Sequence, residues 1–223
     1  MALLNPVVSK FTIAAGTIQE VYVCPENKTV GLIDISFFKN DLSGTSIIAI
    51  ALTTESNPAN LTTVDYFIDN IKLINNVNVA EINKIIVGKG ERLYVKVLSG
   101  PNVNVRVSGV EENNPKIAKA GRLAAAKISN TTQTQIFANN LNNISYISAS
   151  ITIFNTSTNN AIIECWISTN NTPSDIDKVL KVEISPQNTT ILDNVFISPN
   201  EKVFVQSNQN NIEYFINGIF ISS

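Results

Sequence analysis

Ile47-Ile48-Ala49-Ile50-Ala51-Leu52-Thr53-Thr54, followed by Pro58, recurs as Ile162-Ile163-Glu164-Cys165-Trp166-Ile167-Ser168-Thr169, followed by Pro173, 115 residues later. An apolar run of this length closed by a turn signal reads as a strand, and its recurrence at a fixed spacing reads as a repeated domain. The same offset pairs Ile13 with Ile128, Val21 with Ile136 and Tyr22 with Phe137. Between these stretches the alternation fits better at 116, where Ile33, Ile35, Phe37 and Phe38 meet Ala149, Ile151, Ile153 and Phe154. Further on, Gly90-Glu91-Arg92-Leu93-Tyr94-Val95 answers Asn200-Glu201-Lys202-Val203-Phe204-Val205 at 110. The closing Val103/Val105/Val107 with Gly109-Val110 answers Ile212/Tyr214/Ile216 with Gly218-Ile219 at 109. The falling offset places a deletion of several residues in the middle of the second copy.

Within the first copy, short alternating segments cover 10–14, 20–24, 31–38, 46–53, 64–74, 77–87, 91–98 and 102–110. Turn signals separate them at Gly16, Pro25-Glu26-Asn27, Leu42-Ser43-Gly44, Asn57-Pro58, Gly88-Lys89-Gly90 and Gly100-Pro101. Alternation gives each strand one buried and one wet face. The expected fold is all-β: two tandem antiparallel β-sandwich domains, jelly-roll-like if all eight segments are strands. The boundaries are 1–112 for a first sandwich with an N-terminal arm, 113–126 for a linker and 127–223 for a second sandwich. The linker carries Pro115 and a stretch, Ile117 to Ala126, without alternation, so it reads as a connector with at most a helical turn; its Lys116, Lys119 and Arg122 would serve as a basic contact strip if a partner lies there.

Composition narrows the chemistry. Charged residues make up 15% of the chain and the net charge is −2, so no strong field steers nucleic acid or anionic lipid. The polar surface is built from amides and hydroxyls, with 31 Asn among them. The start, Met1 to Pro6, has no basic n-region, and the longest aliphatic run, Ile47 to Leu52, is far short of the roughly 20 residues that span a bilayer. A soluble protein made in a cytoplasm is the expectation. Cys24 and Cys165 fall at non-equivalent places in the two copies and read as unpaired, with Cys165 in the core.

The chain has no histidine. That excludes Ser-His and Cys-His nucleophilic systems and most transition-metal sites. Asp175-x-Asp177 has the spacing of a calcium loop, and Asp65 with Asp69 could flank a cleft. The counterparts of the former at the 115 offset, Asn60 and Thr62, are uncharged, and capping turn residues is the simpler reading of both pairs. Gly88-Lys89-Gly90 precedes a strand where a phosphate loop precedes a helix, so it reads as a hairpin turn. No catalytic residue, metal or cofactor is assigned, and the chain reads as a non-enzyme.

Two features are left without an internal role. On its strand Trp166 shares a face with Ile162, Glu164 and Ser168, the wet side, so the sole tryptophan is expected to project outward. Shielding by its own loops, contact with another subunit and stacking on a sugar ring are the three readings of it. The arm Met1 to Val8 carries Leu3, Leu4, Val7 and Val8, which either pack on a neighbour or fold back on their own domain. The interface candidates are therefore Leu3, Leu4, Val7 and Trp166.

The order of these features resembles a family of small β-sandwich virion structural proteins of tailed bacteriophages, here as a tandem duplicate. The resemblance lies in Tyr22-Val23-Cys24-Pro25, the apolar strand Ile33 to Asn40, the strand Gly90 to Val97, and the ending Gly109-Val110-Glu111. It covers 13–111 well. In 127–222 it is weaker: Asn139 replaces the cysteine, no proline follows, and Asn200 stands for Gly90. What it implies is a surface decoration, neck or tail protein of a virion, made in the host cytoplasm, that works through protein–protein contacts with other virion proteins and copies of itself. It implies no nucleic acid or membrane partner and no catalytic residues. A receptor- or glycan-binding module is the alternative.

Overall fold

The computed structural model describes residues 5–39, 41, 43–74, 79–141 and 144–222. Leu3, Leu4, Asn40 and Leu42, and the beginning of the segment expected at 77–87, lie outside them. The described residues form sixteen strands and three short 3-10 turns. No helix among them is long and apolar enough to cross a membrane.

The chain divides into two units: Met1–Pro115 with Ala120–Arg122, and Lys116–Lys119 with Leu123–Ser223. In the first, β1 (Asn5–Ile13), β2 (Ile18–Val23), β3 (Val30–Lys39), β4 (Ser46–Thr53), β5 (Tyr66–Leu73), β6 (Val79–Gly88), β7 (Arg92–Ser99) and β8 (Val103–Glu112) build two antiparallel sheets. Their orders are β1-β8-β3-β6 and β2-β7-β4-β5. This interleaving of early and late strands is the jelly roll. Facing side chains such as Ile33, Ile35, Phe37, Ile48, Ile50, Leu52, Val95, Val105 and Val107 are buried, as their alternation requires.

In the second unit, β9 (Ile117–Ile128), β10 (Thr134–Ala138), β11 (Ile144–Asn155), β12 (Ala161–Ser168), β13 (Lys178–Ile184), β14 (Thr189–Ile197), β15 (Lys202–Ser207) and β16 (Ile212–Ser222) repeat the plan. The sheet orders β9-β16-β11-β14 and β10-β15-β12-β13 match those of the first unit, strand for strand. The core holds Ile147, Ile151, Ile153, Ile163, Cys165, Ile197, Val203, Val205 and Ile216.

The ladder registers reproduce the offsets read from the sequence. Ile33 lies opposite Gly109 and Ala149 opposite Gly218. Ile50 lies opposite Val95 and Cys165 opposite Val205. Even a β-bulge recurs: pairing slips between Ile33 and Ile35 on β3, and between Ala149 and Ile151 on β11. The partner strands pass the slip through Lys84 (φ 61°) and Asn194 (φ 56°), 110 residues apart. Gly90 (φ 73°) and Asn200 (φ 67°) hold the same left-handed turn position, asparagine being a residue that tolerates it.

Two expectations are corrected. The segment 113–126, read as a linker, is mostly strand: β9 begins at Ile117 and takes the place in its sheet that β1 holds in the first unit. It escaped notice because an edge strand need bury only part of one face, and its alanines and lysines show no alternation. The second correction concerns the counterparts of Asp175 and Asp177: part of the deletion expected in the middle of the second copy falls ahead of them. The β4–β5 connection, 54–65, holds twelve residues, and the β12–β13 connection, 169–177, holds nine. The counterparts of Asp175 and Asp177 are therefore Thr63 and Asp65, not Asn60 and Thr62.

Candidate functional site

The polar groups that could have carried chemistry are spent on holding turns. Asp177 accepts hydrogen bonds from the Ser174 amide (2.8 Å) and hydroxyl (3.1 Å), closing a capping box on the 3-10 turn Asp175–Asp177. Asp65 does the same for the Thr62 amide and hydroxyl, both at 2.8 Å. It also forms an ion pair with Arg122 at 2.7 Å, its side chain only 10% exposed. Burial pushes the Asp65 carboxyl up, but the bonds from Thr62, Arg122 and Thr53 outweigh it and hold the group below its ordinary value. At Asp69 burial outweighs the charge of Lys96 and leaves the carboxyl raised. The Gly88 amide donates to the Glu91 carboxylate at 2.9 Å, so this turn already uses its own donor. Among the described residues no three His, Cys, Asp or Glu side chains gather as a metal site would require. Cys24 and Cys165 are free and fully buried, and desolvation pushes their thiols up to about 11 and about 12.

The interface candidates are placed as follows. Leu3 and Leu4 lie outside the described residues. Val7 sits on β1, opposite Gly109 of β8, and is half-buried. The arm, from Asn5 on, therefore folds back as an edge strand of its own unit. Trp166 belongs to the outer face of its sheet, since the core cluster takes Ile163 and Cys165 and leaves it out. Its exposure is nonetheless 4%. It lies opposite Phe204, and the Lys178 ammonium stands 5.2 Å from the ring centroid. Glu164 anchors that ammonium at 3.1 Å. Trp166 is thus shielded by its own unit. Val7 and Trp166 belong to different units.

The surfaces that do stand open were not among those candidates. On the outer face of β1-β8-β3-β6, Phe38, Val79, Lys10 and Arg106 line a groove of about 540 Å³. Phe38 is 44% exposed and Val79, its cross-strand partner, 49%. Lys10 and Arg106 lie directly opposite each other on β1 and β8. Among the described residues neither has an ion-pair partner. In the second unit, Tyr146 and Phe196 form an exposed edge-to-face pair with centroids 5.7 Å apart. Ile176, inside the capped turn Asp175–Asp177, is 92% exposed, more than any other large apolar residue described. A signal for two of these was present: alternation puts Phe38 opposite in sense to the buried Phe37, and Ile176 is flanked by two aspartates.

No family model and no curated protein matches the chain. Among solved structures, the chain is similar to the STIV MCP, 9% identical with a TM-score of 0.45 over 98% of this chain and 97% of that one. It is similar to the major capsid protein P2 from Bacteriophage PM2, 12% identical with a TM-score of 0.42 over 97% and 98%. It is also similar to the N-terminal CBM22-1-CBM22-2 tandem domain from Paenibacillus barcinonensis Xyn10C, 7% identical with a TM-score of 0.28 over 100% and 92%. These are whole-length likenesses at low identity, and none of them assigns a function to this chain.

Proposed function

We propose that the chain is a non-enzymatic structural component of a virus particle, held there by contacts with copies of itself and with other virion proteins. The observation that supports this most is the pair of units with one jelly-roll order in a single chain, with Asp65 and Asp177 committed to capping turns. Jelly rolls serve as shell-forming modules and as lectin domains, so the fold alone does not choose between them. The side chains favour the first. A sugar-binding role for Trp166 needs an open ring face, and Trp166 is buried, with the Lys178 ammonium over its ring. The resemblance noted in Tyr22–Pro25, Gly90–Val97 and Gly109–Glu111 adds the finer part of the proposal: a particle of a tailed bacteriophage, with the chain in its decoration, neck or tail.

Quantitative mass spectrometry of purified particles tests the reading. The chain should be present at a fixed, reproducible copy number relative to the other virion proteins. Its recovery only in the unassembled fraction would overturn the proposal.

A further inference from the structure

The two units share a fold, so the places where their surfaces differ are informative. The groove residues of the first unit are not repeated in the second. At the positions equivalent to Phe38, Val79 and Arg106, the second unit has Phe154, Thr189 and Phe215, and both phenylalanines are buried. The acidic tip belongs to the second unit only. At the positions of Asp175 and Ile176, the first unit has Thr63 and Val64, and Val64 is 41% exposed against 92% for Ile176. One unit thus carries an apolar groove edged by two cations, and the other carries an apolar knob edged by carboxylates.

Like charges directly opposite on neighbouring strands repel, and among the described residues Lys10 and Arg106 have no ion-pair partner. Glu81, at the far end of the same cross-strand row, accepts from the Ser36 hydroxyl at 3.5 Å. At the tip, Lys178 pairs with Asp175 at 3.0 Å and with Glu164 at 3.1 Å, and Lys181 pairs with Glu164 at 2.9 Å. The Asp175 side chain is 96% exposed. The capping box fixes the turn, so Ile176 is presented on a rigid support and little entropy is lost in docking it.

We propose that copies of this chain associate head to tail, the Ile176 tip of one seating in the Phe38–Val79 groove of the next, with Asp175 and Asp177 facing Lys10 and Arg106. This rests on the reading of the chain as a part that assembles with copies of itself. The contact joins different surfaces, so it is heterologous and continues to a ring or an open row of copies. The apolar seat supplies the adhesion and the charges supply orientation and encounter rate.

Sedimentation of the full chain over a range of concentrations at low and at high salt tests it. The parent should associate, more weakly in high salt. Ile176→Asp and Arg106→Glu should each raise the dissociation constant about tenfold or more. Combining Arg106→Glu with Asp175→Arg should restore most of the association, a result that misfolding could not mimic. A parent that stays monomeric throughout, or single variants that associate as the parent does, would overturn the contact. So would loss of glycan-array binding in Arg106→Glu with self-association unchanged, which would assign the groove to a sugar. Mass spectrometry of particles separates the two levels: presence in particles with unaltered Ile176→Asp association leaves the virion role standing and removes this contact, whereas absence from particles removes the virion role.

Discussion

Trp166 stands opposite Phe204 on the neighbouring strand, with the Lys178 ammonium 5.2 Å from its ring centroid. Its counterpart in the first unit is Ala51, beside Tyr94, whose hydroxyl donates to the carbonyls of Glu55 and Ser56 in the longer connection. The shorter connection of the second unit goes with the larger side chain. Trp166→Ala should therefore destabilise that unit by about 3–5 kcal/mol, as large-to-small changes at buried aromatic sites do. Chemical denaturation followed by circular dichroism would measure it; a loss under about 1 kcal/mol would mean the ring is not part of the packing. The face of Trp166 was legible from strand alternation. Its burial was not, because the cover comes from a lysine twelve positions away and from another strand. Asp65 makes a second residue-scale case. Its carboxyl is held below the unfolded value, so its contribution is present above the unfolded pKa and is lost as pH falls through the folded one. Arg122→Ala should lower stability by about 1–3 kcal/mol at neutral pH. That difference should shrink in acid, once Asp65 is protonated in the parent as well, and a difference independent of pH would contradict the assignment. The thiols give a third: both should be inert to a thiol reagent in the native state and both should react on denaturation without reductant. Rapid native labelling of either would mean the burial is wrong.

At the scale of elements, the two units agree in the details that backbone geometry demands. Left-handed residues stand at Gly90 and Asn200, and again at Lys84 and Asn194. Lys84 is an unusual choice for such a site, and its amide is held by the Asp34 carboxylate at 2.7 Å. Asn200→Gly should be neutral or slightly stabilising, and Asn200→Ala should cost about 1–2 kcal/mol through the left-handed penalty. Equal midpoints for the two variants in a urea series would show that the turn has no such requirement. The eight segments of the first copy were legible because each core strand alternates strictly or is buried on both faces. β9 was not, since Ala118, Lys119 and Ala124 to Ala126 carry neither pattern. The arm was half legible: Val7 lacks a place in the inner core, yet the strand pairing of Asn5–Ile13 with β8 uses backbone groups that no side-chain pattern announces.

For the whole molecule, the two units share one jelly-roll strand order and differ at the surface. The shared registers account for the core, and the variations account for what each unit offers outward: a cation-edged groove in one, and an acidic tip with an exposed aromatic pair in the other. The groove and the tip escaped a reading by motif because they are juxtapositions across strands, Lys10 with Arg106 and Phe38 with Val79, that exist only once the register is set. The claim that most needs testing is that the chain works as a built-in part of a particle. Cryo-electron microscopy of intact particles made by the virus that encodes it is the direct measurement. The account predicts density for two eight-strand jelly rolls per copy, in ordered contact with neighbouring virion proteins. A well-resolved particle in which no density fits either unit would contradict it.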